Sequence, residues 1–183
     1  NPVFVDQILQ DYSQWRVNAV CADLKGDWKE LSGVKADVVL LADVLEHIQD
    51  DLGFVRKLTN ILKPGGKALI KVPAQSSLYA EMDEASGHYR RYDKPVLKHV
   101  MESAGFKTIR LDFMNPLGAY AYRLKNKRQT TYSVSYASWM LKLINAGIPL
   151  LALLDALPAV KGLSLIGVFE VSPGLLQKVG RPH

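Results

Sequence analysis

Apolar and polar positions change period several times along the chain, and each change predicts an element. Val5, Ile8 and Leu9 recur at helical spacing behind Pro2, which predicts a helix over residues 2–12. Residues 17–24 alternate and end in an acid, a strand pattern. A short helix or turn is expected over 27–31, and the unbroken apolar run 38–41 reads as a fully buried strand. A helix is predicted over 49–62, with Asp50 and Asp51 at its positive end. Lys63-Pro64-Gly65-Gly66 then turns the chain into a strand over 67–72.

The second half continues the alternation. Residues 75–92 form a polar loop, long enough to suspect function. A helix over 94–103 stops at Ala104-Gly105, with Gly105 suited to a left-handed cap. A strand is expected over 106–113, a turn and basic helix over 115–127, and an apolar helical insert over 132–157 broken by Gly147 and Pro149. The last strand is placed at 163–171, with a frayed tail beyond Pro173. The domain reading is a core over 1–131, an insert over 132–160, and the core's final strand and tail over 161–183.

Two apolar runs joined by one helix make a βαβ crossover in a parallel sheet, with residues 38–41 central. Ligands of such sheets collect at the carboxyl ends of the strands, so Ala42, Asp43 and Val44 stand where a cofactor would lie. His47 follows Asp43 by one helical turn, which would put both on one face. Gly87-His88-Tyr89-Arg90-Arg91-Tyr92 is the second dense cluster. A free imidazole has its pKa near neutrality, so His88 could take a proton, while Arg90 or Arg91 could fork onto a carboxylate or phosphate. The bland reading has those arginines pairing with Asp83, Glu84 or Asp93 on a surface loop.

At 183 residues, 48% hydrophobic and 22% charged, the chain is sized for one soluble domain. One cysteine, Cys21, excludes an internal disulfide framework, and no charged-then-apolar leader opens the sequence, which together suggest a cytoplasmic protein. The net charge of +5 is uneven: residues 1–119 hold 15 Lys/Arg against 16 Asp/Glu, whereas 120–183 hold 8 against 2. No RNA-module signature or Cys/His zinc spacing accompanies that basic end, so nucleic acid is not an expected partner. Basic residues beside the apolar insert leave three readings of it: a substrate lid, a homodimer face, or a peripheral contact with an anionic membrane. The histidines at 47, 88 and 99 fall in no zinc pattern, so no metal is expected, and no G-x-S-x-G elbow points to acyl transfer.

The stretch Ala36 to Pro73, with its strand ending in an acid, Leu45-Glu46-His47-Ile48 and Leu62-Lys63-Pro64-Gly65-Gly66, resembles class I S-adenosylmethionine-dependent methyltransferases of the ubiquinone-biosynthesis O-methyltransferase-like group. The resemblance covers roughly residues 1–119. It implies a Rossmann-like, doubly wound, mostly parallel α/β sheet with an antiparallel final strand, truncated at the N-terminus. The family's glycine-rich turn and ribose-holding acid would fall before Asn1.

The same resemblance implies S-adenosylmethionine as cofactor. Asp23 would accept from the adenine amine, with Ala22 and Leu24 beside it. Ala42, Asp43 and Val44 would border the methionine portion, and Asn1 is counted with these cofactor-binding residues. His88 and His47 are the candidate bases; Arg90, Arg91, Tyr92 and Asn115 are the candidate acceptor contacts. The expected reaction moves a methyl group to an oxygen or nitrogen of a small acceptor, lipid-like or glycan-linked. A nicotinamide-dependent oxidoreductase and a noncatalytic domain of the same fold stand as alternatives.

Overall fold

The computed structural model describes residues 2–11, 14, 18–126, 147 and 161–172. Asn1, the insert reading over 132–160 (Gly147 apart) and the tail beyond Pro173 lie outside them. The first helix, α1, spans Pro2–Asp11, close to the predicted bounds. β1 spans Ala36–Ala42, α2 Asp51–Ile61 and β2 Leu62–Pro73, so the crossover forms, and β1 pairs parallel with β2. Asp50 caps α2 by accepting from the Gly53 amide at 2.9 Å, satisfying one of the free N–H groups of the first turn.

Beyond β2 come α3 (Glu81–Ala85), α4 (Lys94–Ser103), β3 (Phe106–Met114), α5 (Pro116–Asn126) and β4 (Ser164–Val171). The strand order is β1-β2-β4-β3, with β4 antiparallel to both neighbours. Three strands therefore run one way and the last runs against them, as the resemblance implied. Gly105, at φ +100°, makes the expected left-handed stop after α4.

The core sits where α2 and α4 cover the sheet: Phe54, Val55, Leu58, Leu97 and Met101 pack with Ala68, Ile70, Val72, Leu165 and Phe169. Residue spacing explains it, since every second residue of β2 from Gly66 to Val72 is buried.

Several expectations need correction. Residues 36–42 are an edge strand among the described residues, not a central one, and β4 lies inside the sheet between β2 and β3. Nor is that strand fully buried: Val38 is 53% and Leu40 69% exposed, because no described element covers the face they occupy. Residues 18–23 form no strand, since no ladder partner reaches them among the described residues; Val20 and Cys21 are exposed. β2 starts at Leu62 rather than Lys67. The Pro-Gly-Gly segment is an irregular strand opening, where Leu62 pairs with Ala36 and the register then slips.

Candidate functional site

Three non-glycine residues with left-handed backbone follow the carboxyl ends of the three like-directed strands. Asp43 (φ 54°) comes directly after β1, Gln75 (φ 62°) two residues after β2, and Asn115 (φ 62°) directly after β3. Such conformations cost energy and persist where the surroundings impose them, often at functional sites. All three lie at one edge of the sheet. Here the chain spends strain, and here the polar residues gather.

Asp43 keeps its amide on the Lys71 carbonyl at 2.9 Å and its carboxylate paired with the Lys71 ammonium. The carboxylate side chain remains about half exposed. Ala42 is exposed, and Val44 is half-buried against the core. After Asp43 comes a single 3-10 turn, Leu45–His47, not the start of an α-helix, so the expected one-turn relation between Asp43 and His47 does not hold. In that turn Leu45 and Glu46 point inward and are fully buried.

The loop after β2 folds back over this turn. Tyr89 donates its amide to the Glu46 carbonyl at 2.8 Å, and His47 Nδ1 meets the Gly87 carbonyl at 3.2 Å. Gly87, at φ +77°, allows the carbonyl to be presented there. The imidazoles of His47 and His88 then meet edge to face, with ring centres 4.7 Å apart and planes at 79°. Glu46, His47 and His88 each offer a ligand-type atom within 4.8 Å of the others.

Two buried acids, Glu46 within this cluster and Asp83 beside it, behave oppositely. Asp83 receives Arg91 Nε at 2.8 Å, His88 Nδ1 at 3.0 Å and the Tyr122 hydroxyl at 3.0 Å. Burial alone would raise its carboxyl, but the hydrogen bonds from Arg91 and His88 and the Arg91 charge outweigh it and hold the group below its ordinary value. Glu46 has no such company. Neither of its carboxylate oxygens has a hydrogen-bond partner among the described residues. Burial pushes its carboxyl above the ordinary range. The residue's own amide lowers it somewhat, Asp43 raises it further, and the imidazoles of His88 and His47 give partial relief.

The predicted acceptor contacts divide. Arg91 is buried, spends its guanidinium on Asp83 and lies over the Tyr122 ring at 4.4 Å. Tyr92 is fully buried and donates to Asp51 at 2.8 Å; burial first, then that carboxylate, keep its hydroxyl protonated well above its usual range. Both therefore hold the loop in place and present no polar surface to a ligand. Arg90 is partly exposed, bound to Asp51 at 2.9 Å and to the Gln49 carbonyl at 2.6 Å. Asn115 caps α5 by accepting from the Gly118 amide at 2.8 Å, and its side chain is exposed at the strand edge.

The turn Ala22-Asp23-Leu24 is largely exposed, with Asp23 accepting from the Lys25 amide at 2.9 Å. No hydrogen bond or ion pair joins it to Asp43 among the described residues. Sequence reasoning passed over Glu46 and Lys71. An acid wedged between apolar Leu45 and His47, and a lysine at an otherwise apolar strand end, were the available signals. It treated Asp83 only as a surface partner for arginine. The His88 pairing depends on α3, a helix of five residues that periodicity does not reveal.

The family model for the methyltransferase domain matches residues 2–111. A protein of Mycolicibacterium smegmatis described as a probable S-adenosylmethionine-dependent methyltransferase is 30% identical over 79 residues, which are 42% of this chain and 31% of that protein. The match thus spans under a third of the curated relative's length. Among solved structures, a SAM dependent methyltransferase from Archaeoglobus fulgidus superposes with a TM-score of 0.50 at 16% identity, covering 91% of this chain and 73% of that one. The N-methyltransferase NodS from Bradyrhizobium japonicum, solved with S-adenosyl-L-homocysteine, gives 0.54 at 11% identity, covering 93% and 63%. At such identities the superpositions establish the fold alone.

Proposed function

The chain belongs to the methyltransferase domain family, and on that premise we propose that it moves a methyl group from S-adenosylmethionine to an oxygen or nitrogen of a small acceptor. The observation that carries the reading is the strained carboxyl edge of the sheet, where Asp43 and the Glu46–His47–His88 cluster follow β1 and the Gly87–Tyr92 loop folds over them.

The residues there fit the cofactor's charges. Asp43 already receives a primary ammonium, that of Lys71, which supports assigning its carboxylate to the ammonium of a methionine portion. The exposed Ala42 strand end offers backbone beside it, and Val44 closes the apolar side. Asp23 keeps an exposed carboxylate in its turn, suited to an adenine amine, with Ala22 and Leu24 alongside. When bound, S-adenosylmethionine supplies an electrophilic methyl on a sulfonium.

The chain's own residues have three tasks: to align the acceptor, exclude water and manage its proton. His88 and His47 are the groups we assign to the acceptor's hydroxyl or amine. Each has Nδ1 held by an oxygen, Asp83 for one and the Gly87 carbonyl for the other, which leaves Nε2 as the lone-pair nitrogen. Arg90, partly exposed beside them, suits an anionic group on the acceptor. The basic residues after Asn115 and the apolar insert favour an acceptor with an acidic, lipid-like or glycan-linked part.

Calorimetric titration of the full-length protein with S-adenosylmethionine, and separately with NAD, tests the reading. Saturable heat with the former only is expected. Binding of NAD in its place would favour an oxidoreductase, and binding of neither would leave a noncatalytic domain. No helix among the described residues is long and apolar enough to cross a membrane.

A further inference from the structure

We propose that Glu46, His47 and His88 bind a divalent transition-metal ion. Three independent features of the structure converge on this. The first is proximity: one ligand-type atom from each side chain lies within 4.8 Å of the other two, although the residues come from a 3-10 turn after β1 and a loop some forty positions later. A single ion about 2 Å from each donor draws such a set together with small side-chain shifts.

The second feature is the state of Glu46. Its side chain is wholly buried, and neither carboxylate oxygen has a hydrogen-bond partner among the described residues. A carboxylate in that position needs a cation or a proton. Among the described residues no lysine or arginine pairs with it, since Lys71 pairs with Asp43, Arg90 with Asp51 and Arg91 with Asp83. An ion between Glu46 and the imidazoles supplies what the described residues do not.

The third feature is the orientation of the histidines. A carbonyl can only accept, so the contact of His47 Nδ1 with the Gly87 carbonyl makes Nδ1 the protonated nitrogen. An ionised Asp83 does the same for His88. Both rings are thereby fixed as Nε2 lone-pair donors, each backed by an oxygen acceptor. This is the outer arrangement that metal-bound histidines characteristically carry, one with a carboxylate and one with a backbone carbonyl. Asp83 is itself locked by Arg91 and Tyr122, so the backing is rigid.

Two imidazole nitrogens and one carboxylate suit zinc, manganese, iron or cobalt better than calcium or magnesium, which prefer oxygen donors. Three protein ligands leave coordination positions open. On the methyl-transfer reading, an acceptor hydroxyl takes one of these and gives up its proton more readily. The imidazoles then serve as ligands in place of bases. Metal binding itself does not rest on that reading.

The test is titration of EDTA-stripped full-length protein with zinc chloride, and separately with manganese chloride, in the absence of S-adenosylmethionine. One ion per chain is expected, with affinity lowered at least 10- to 100-fold in Glu46→Gln and in His47→Ala. Cobalt(II) added to the stripped protein should show visible absorption of nitrogen and oxygen ligation, lost in the same variants. Circular dichroism of the stripped variants checks folding, and Glu46→Gln keeps the side chain's volume while removing a buried charge. No saturable uptake by the wild type, or uptake that both variants leave unchanged, overturns the proposal. S-adenosylmethionine titrated into the stripped protein reports on the methyl-transfer reading separately, so the two can fail independently.

Discussion

Asp83 Oδ1 lies 3.0 Å from His88 Nδ1 while the same carboxylate takes Arg91 Nε at 2.8 Å, so one buried acid both orients an imidazole and neutralises a buried guanidinium. The first task belongs to the site and the second to the fold. Substitutions at Asp83 should therefore show in stability before they show in function.

Asp83→Ala leaves the Arg91 charge buried without its partner. Loss of one member of a buried pair costs about 3–5 kcal/mol, and chemical denaturation of the variant should report a loss of that order. The pH dependence follows from the direction of the shift. Asp83 titrates below its ordinary value in the folded protein, so its contribution is complete above that value, near pH 3.8, and fades as pH falls through the lower folded one. Acid titration of wild type and Asp83→Asn should converge at the acidic end.

Glu46 makes the opposite prediction. Burial raises its carboxyl in the folded state above the reference value of 4.5, so the folded protein holds the proton more tightly than the unfolded chain. Stability therefore falls as pH rises from the reference value towards the raised one. Without metal, Glu46→Gln should be more stable than wild type near neutrality, and the advantage should vanish below about pH 4. Thermal melts at several pH values measure this directly. A neutral-pH variant less stable than stripped wild type would mean that Glu46 has a partner.

The sequence pattern located the crossover because each part is local: an apolar run, an Asp50 cap, helical spacing over α2 and a second apolar run. It misplaced β1 within the sheet because strand order depends on pairings between distant segments, and Val38 and Leu40 look the same in a run whether covered or open. Asp43 was legible as a strand-end acid. The Glu46–His47–His88 cluster was not, because His88 reaches it only through the Gly87 turn and the contact of Tyr89 with Glu46. Arg91 and Tyr92 read as acceptor contacts, with pairing of the arginine to Asp83 on a surface loop as the alternative; a polar loop gives no hint that Asp83 is buried or that Asp51 waits beneath Tyr92.

Asp43 and Lys71 separate cofactor binding from the rest of the site. Asp43→Asn removes the charge that would face the cofactor's ammonium, and S-adenosylmethionine affinity should fall by about 1–2 kcal/mol, modest because the carboxylate is half exposed. Lys71→Gln leaves the carboxylate in place and should not weaken binding. If both variants bind as the wild type does, the strand end after β1 is not the ammonium site.

His88 carries the strongest expectation about turnover. Its Nδ1 is committed to Asp83, its ring stacks edge to face on His47, and its side chain stays only 18% exposed, so it sits at the floor of the site and not on its rim. With any acceptor the full-length protein methylates, His88→Ala should lower turnover by roughly 10²–10⁴ and leave S-adenosylmethionine affinity unchanged. The remaining activity tells the two roles apart. If His88 acts as a base, raising the pH should restore part of the rate, because the acceptor then ionises unaided. Should it hold a metal instead, added zinc or manganese at high concentration should restore more than pH does. Full activity of the variant under standard conditions would remove His88 from the chemistry and leave His47 as the imidazole that meets the acceptor.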